Sequence, residues 1–231
     1  MRGFIECVSL FSVVFVASAQ EPAWKGKPVA KWDQEDARQV LNDSPWAKSV
    51  APQWLRDLSP DERRASGDMQ AGIGKGVGLA GLGLFGPERE AEAVARAHAK
   101  PDIGEILVRW ESAGPVRAAE QKLGDTQAPA VDSQYYAIVV YDIPTPKRWN
   151  LANELKGIAS LKRNNKKDLK PSHVEILRKE NGRADVVYLF PRSVEITKKD
   201  GNFRFAAQIG RLFVTQVFST QEMQIRGQLE L

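Results

Sequence analysis

His173-Val174-Glu175-Ile176-Leu177, then Asn181-Gly182, then Ala184-Asp185-Val186-Val187-Tyr188-Leu189-Phe190 is the stretch that decides the fold class. The first run alternates apolar and polar residues. The second is almost continuously apolar and rich in β-branched and aromatic side chains, and both have strand length. Asn-Gly between them accepts the positive φ that a tight hairpin turn requires, so the two runs are predicted to be antiparallel neighbours. Towards the C-terminus, Asn202 to Ile209, Leu212 to Phe218 and Met223 to Leu231 repeat the strand pattern, and Asp200-Gly201 repeats the turn chemistry. Together they predict an antiparallel meander.

Towards the N-terminus the periodicity changes. Asn150 to Leu161 has helical spacing at Leu151, Leu155 and Ile158, and Tyr135 to Tyr141 reads as an apolar strand stopped by Pro144 and Pro146. Ile103 to Trp110 reads as another strand. Ser112 is predicted to cap a helix whose inner face holds Val116, Ala119 and Leu123 and which Gly124 ends. A further short helix is expected from Pro87. Residues 87–231 therefore read as α+β, a mostly antiparallel sheet with a few helices covering one face.

Residues 67–86 contain eight glycines and read as a flexible Gly-rich linker, because each glycine ordered into a helix costs about 1 kcal/mol relative to alanine. Two GxGxxG matches within it, starting at Gly76 and Gly81, lack the preceding strand of a dinucleotide-binding unit. Before the linker, residues 20–66 form a short N-terminal helical segment in this reading. Asp33 can cap a helix carrying Ala37, Val40 and Leu41, and Ser44-Pro45 and Ser59-Pro60 look like two further helix starts. Trp24, Trp32, Trp46 and Trp54 are expected to supply apolar packing area, with a ligand cage as the alternative.

Residues 1–19 have the order of a secretory leader: Arg2, an apolar stretch from Val8 to Val16, then Ala17-Ser18-Ala19. Cleavage there would remove Cys7, the single cysteine, and leave a mature chain without disulfides and without a membrane span. The expected compartment is periplasmic or secreted.

The net charge of +4 conceals an asymmetry, since residues 147–211 hold sixteen basic and seven acidic side chains. Lys162, Arg163, Lys166, Lys167 and Lys170 cluster on what reads as a loop and are the candidate anion-binding residues. No aromatic interleaves them, so specific nucleic-acid recognition is not expected. Arg109, Glu111 and Arg117, with Glu120, crowd a strand-to-helix junction, giving either an anion or peptide site or an ion-pair cluster that fixes the junction.

Several chemistries are disfavoured. The two histidines, His98 and His173, belong to no metal-binding pattern, no GxSxG elbow occurs, and no metal or cofactor is expected. Paired carboxylates in the C-terminal domain remain open, because their spacing is set by the fold.

Four segments carry a resemblance: Trp32 to Arg38 with Leu41 to Lys48, Val108 to Arg117, Phe190-Pro191-Arg192, and Gly227 to Leu231. With the glycine-rich middle, they resemble a group of uncharacterised exported bacterial proteins that has no assigned activity. The resemblance covers most of the mature chain and transfers no catalytic residue. The sequence thus leads to the expectation of an exported, non-enzymatic protein that binds an envelope or extracellular partner, an anionic polymer or a protein. An envelope enzyme using paired carboxylates is the alternative.

Overall fold

The computed structural model describes residues 22–55, 103–144, 152–164 and 166–231. The expected leader, the glycine-rich linker, the Ser59-Pro60 helix start and the Pro87 helix lie outside them. Three α-helices are described: α1 Gln34–Asn42, α2 Gly114–Leu123 and α3 Ala152–Ile158. The strands are β1 Ala47–Val50, β2 Gln53–Trp54, β3 Ile106–Trp110, β4 Tyr135–Pro144, β5 Ser160–Arg163, β6 Lys166–Leu169, β7 His173–Arg178, β8 Arg183–Pro191, β9 Asn202–Ile209, β10 Leu212–Ser219, β11 Gln224–Ile225 and β12 Gln228–Leu229.

Every pairing among these strands is antiparallel, and the α+β class holds. There are, however, two five-stranded sheets where the sequence predicted one meander. The first has the order β1-β3-β4-β8-β7, the second β2-β10-β9-β5-β6, and β11 with β12 forms a small ribbon. Asn181-Gly182 makes the β7–β8 hairpin as expected, with Gly182 at φ +76°. Asp200-Gly201 does not join neighbours. Asp200 ends a short 3-10 turn, where its carboxylate accepts from the Thr197 backbone N–H at 2.7 Å, and the chain passes there from the first sheet to the second. Turn chemistry specifies positive φ at the glycine, here +69°, and says nothing about which strands flank it. Likewise Met223 to Leu231 folds back at Arg226-Gly227 as a ribbon and is not one strand.

Aromatic contacts join the two sheets across the core. Trp110 of β3 lies 6.1 Å from Phe203 and 5.2 Å from Phe218 between ring centroids, and Tyr188 lies 5.3 Å from Phe205. The two sheets differ in pattern for a physical reason. In β8, residues Ala184 to Phe190 are all buried, so both faces of the strand are covered. In β9, Phe203, Phe205, Ala207 and Ile209 enter the core while Asn202 and Arg204 are exposed, the signature of a sheet with one face towards water.

The N-terminal segment is a correction. Residues 20–66 were expected to be a helical module separate from residues 87–231, yet β1 pairs with β3 and β2 pairs with β10, so this stretch supplies an outer strand to each sheet. Helix α1 is present with its Asp33 cap, whose carboxylate accepts from the Asp36 N–H at 2.8 Å. Ser44 starts no second helix. Its hydroxyl donates to the Val40 carbonyl at 2.7 Å and closes α1, while Trp46 drives the chain into the core beside Trp24, 5.5 Å away. Trp24, Trp32 and Trp46 are buried as packing area against α1, and Trp54 is half-buried at the end of β2 under the Arg211 guanidinium.

Three smaller corrections concern local signals. Ser112 is not the cap of α2, because Ala113 holds that position; the Ser112 hydroxyl instead accepts from the Ala137 N–H of β4 at 3.1 Å. Gly124 ends α2 in the left-handed region as predicted. Helix α3 stops at Ile158, which is 47% exposed, and Leu161 belongs to β5. The basic stretch expected to be a loop is the β5–β6 hairpin at the edge of the second sheet, where lysines on an outer strand discourage pairing with another chain. Among the described residues no helix is long and apolar enough to cross a membrane.

Candidate binding site

Strand alternation sends Trp110 into the core and Arg109 to the opposite face of the first sheet, opposite Val139. The chain then turns through Glu111 and Ser112 into α2, which brings Glu120 back over Arg109. Arg109 Nε donates to Glu111 Oε2 at 2.7 Å, and its Nη2 donates to Glu120 Oε1 at 2.8 Å. From β4 the Tyr141 hydroxyl donates to Glu111 Oε2 at 2.7 Å and also accepts from Arg109. Arg117, at the rim, donates to Glu120 Oε2 at 2.9 Å and to the Pro129 carbonyl at 3.0 Å.

The expected junction residues Arg109, Glu111 and Arg117 do therefore come together, but at two depths. Glu111 is fully buried and Glu120 is 3% exposed, whereas Arg117 keeps 42% of its side chain in solvent. Burial pushes the Glu120 carboxyl up to about 9, reinforced by its hydrogen bond to Glu111 and by that residue's charge, with Arg109 and Arg117 opposing. Burial also works to raise Glu111, but the hydrogen bond from Glu120, the charge of Arg109 and the bonds from Arg109 and Tyr141 hold it below the ordinary carboxylate range.

Beside this network lies a groove of about 320 Å³, lined by Ser112, Arg117, Val131, Asp132, Ser133, Tyr135 and Arg192. Arg192, just after β8, is fixed on three sides. Its Nε donates to the Tyr135 carbonyl at 3.1 Å, its Nη2 donates to the Leu231 carbonyl at 2.5 Å, and its guanidinium lies over the Tyr136 ring at 4.4 Å. It also walls a second groove of about 570 Å³, formed with Tyr136, Glu195, Thr197, Lys198 and the 229–231 segment, which includes Glu230.

The four segments that carried the resemblance meet here. The Trp46 indole donates to the Glu230 carbonyl at 2.7 Å, and the Glu230 carboxylate sits beside the first residue of α2, where a Cβ on Gly114 would come within 2.7 Å of it. Helix α2 has no side-chain cap of its own, so this carboxylate occupies the position that the helix dipole favours for an anion.

The predicted anion-binding cations are only partly available. Lys166 is paired with the buried Asp200, Arg163 donates to the Lys167 carbonyl at 2.7 Å, and Lys170 donates to the Ala159 carbonyl at 3.1 Å. Lys162 and Lys167 have no such partner among the described residues. Pairing adds a cation that the sequence cluster lacked: Arg204 of β9 stands directly opposite Lys162 on the outer face of the second sheet, with Val217, 48% exposed, next in the row.

His173 is exposed, with its ring edge-on to Tyr135 at 5.9 Å, and His98 lies outside the described residues. No group of three or more metal-ligating side chains occurs among the described residues. Sequence reasoning missed Tyr141, Arg192 and Arg204 as partners. Alternation places Tyr141 on the same face of β4 as Val139, but only the β3–β4 register shows that this is the face of Arg109. No family model matches the chain, and neither the curated proteins nor the solved structures contain a match.

Proposed function

We propose that this protein is exported and non-enzymatic, and that it binds an anionic polymer outside the cytoplasm. The supporting observation is the fate of its carboxylates. A carboxylate pair acts on a substrate only where the substrate can reach it. Glu111 and Glu120 face each other but are sealed under α2 and line neither groove. Asp142 and Asp185, a second close pair, are held by Arg183 and Lys179, with Arg183 Nε at 2.6 Å from Asp142 and Lys179 Nζ at 2.8 Å from Asp185. The enzyme alternative keeps only Glu195 and Glu230, which line the larger groove. Among the groups that face solvent, the cations and hydroxyls of Arg117, Ser133, Lys162, Lys167 and Arg204 suit an anionic polymer.

Two measurements test the reading. Protein recovered from the envelope or the medium should begin at Gln20; the intact chain from Met1 free in the cytosol would overturn the compartment. The mature protein should be retained on immobilised polygalacturonate and released by salt, because the attraction is electrostatic and screened within about 10 Å at 0.1 M. Passage through that column at low salt without retention would overturn the partner class.

A further inference from the structure

Resting on that reading, we propose that the groove between α2 and the start of β4 is a subsite for one uronate unit of an acidic polysaccharide. The ring carboxylate would be held between Arg117 and Arg192, and the sugar hydroxyls would meet Ser112, Ser133, Tyr135 and Asp132.

The argument starts from unused donors. Arg117 commits only Nη1 to protein acceptors, and Arg192 commits Nε and Nη2. Among the described residues, Nη2 and Nε of Arg117 and Nη1 of Arg192 have no acceptor. Guanidinium forks match a carboxylate in geometry, and both residues line one groove. The Ser133 and Tyr135 hydroxyls are likewise uncommitted, and the Ser112 hydroxyl accepts one bond and keeps its own proton to donate.

Charge selects the ligand further. The lining holds two arginines and one aspartate, a net single positive charge, which matches a carboxylate monoanion; a phosphate dianion would be left facing Asp132 uncompensated. Arg117 meets Glu120 through Nη1 alone and keeps 42% of its side chain exposed, so the rest of its guanidinium is open to the groove. Asp132 then serves as an acceptor for ring hydroxyls, and Val131 with Tyr135 gives the C–H face of a pyranose an apolar surface.

Size and placement favour a polymer. About 320 Å³ falls at the small end of ligand sites, enough for one ring with its substituents. Arg192 separates it from the larger groove, so neighbouring units of the same chain would pass Arg192 into a lining of Thr197 and Lys198 that also holds Glu195 and Glu230. The groove arginine is also preorganised, because Arg109, Glu111 and Glu120 form a buried platform that fixes its position.

Titration calorimetry of the mature protein with galacturonate, its trimer, neutral galactotriose and N-acetylglycine tests the assignment. The trimer should bind more tightly than the monomer and galactotriose should not compete. Arg117→Gln and Ser133→Glu should each weaken the trimer by about tenfold or more, as expected for losing or opposing a charge-assisted hydrogen bond. Ser133 is exposed and makes no bond that the fold requires, so the thermal midpoint of Ser133→Glu should stay at the wild-type value. Wild-type affinity in Ser133→Glu would overturn the groove, and equal binding of galactotriose would overturn the carboxylate. N-acetylglycine binding as tightly as galacturonate would overturn the sugar. Loss of polymer retention in Lys162→Glu/Arg204→Glu, with none in Ser133→Glu, would reject the groove and leave the anionic-polymer reading standing. No binding of any acidic polymer by the wild type would reject both.

Discussion

The outer faces of the two sheets place like charges close together with opposite outcomes. On the first sheet, Glu111 and Glu120 are forced together, and the fold resolves the conflict with two arginines and a tyrosine under the cover of α2. On the second, Lys162 and Arg204 stand opposite each other on a solvated face, and water resolves the conflict. A buried charge must be compensated by protein, because the low-dielectric interior makes an unpaired one cost several kcal/mol. An exposed pair is tolerated for a few tenths of a kcal/mol and stays free to meet an anion from outside. The covered face is therefore a structural element that delivers one residue, Arg117, to a groove, while the bare face is a surface that attracts.

The sharpest way to break this contrast is Arg109→Met. Removing the central cation leaves Glu111 buried and uncompensated, with an expected loss of about 3–5 kcal/mol in chemical denaturation. A loss below about 1 kcal/mol would mean that the buried network does not hold α2 in place.

The next prediction concerns pH. Glu120 has a folded pKa near 9 against an ordinary value of 4.5, so between these limits the folded state binds more protons than the unfolded state. Its stabilising contribution is complete below about 4.5 and is lost as pH rises through 9, with a slope of at most about 1.4 kcal/mol per pH unit for one proton. Glu111, held below its ordinary value, contributes in the opposite sense, and that contribution is lost only as pH falls below the carboxylate range. Glu120→Gln keeps the neutral hydrogen-bonding shape and should flatten the decline between pH 5 and pH 9. Parallel pH profiles of the variant and the wild type would show that the proton is not on this pair.

The smallest expected effect is on the bare face. Lys162→Glu places an acid opposite Arg204 and should stabilise the fold by about 0.2–1 kcal/mol, less at high salt, while weakening retention on polygalacturonate. Destabilisation of more than about 1 kcal/mol would show that Lys162 has a structural partner.

Much of the strand content was legible because strand length and side-chain alternation are local. The runs from Tyr135, His173, Ala184, Asn202 and Leu212 all became strands, and Asn181-Gly182 and Gly124 did what their backbone freedom permits. Local signals failed where a distant contact outweighed them. Ser44-Pro45 has the chemistry of a helix start, but burial of Trp46 against Trp24 and pairing of Ala47 with Arg109 draw the chain into a sheet. Ser112 has the chemistry of a cap, but its hydroxyl is drawn to Ala137 on β4. The lysine cluster was visible as composition. Its division into paired and free cations was not, because Asp200 and Arg204 reach it only through the pairing of β5 with β6 and β9.

By itself the sequence determined the α+β class, the antiparallel strands, the packing role of Trp24, Trp32 and Trp46 and the excess of cations in residues 147–211, since each follows from side-chain type at short range. The tertiary structure alone decided that there are two sheets, that the N-terminal segment contributes a strand to each, and that Arg117 and Arg192, seventy-five positions apart, share one groove. The physical reason is that register and the passage of the chain between sheets depend on which apolar faces bury one another, a property of the whole set of strands that no single strand carries.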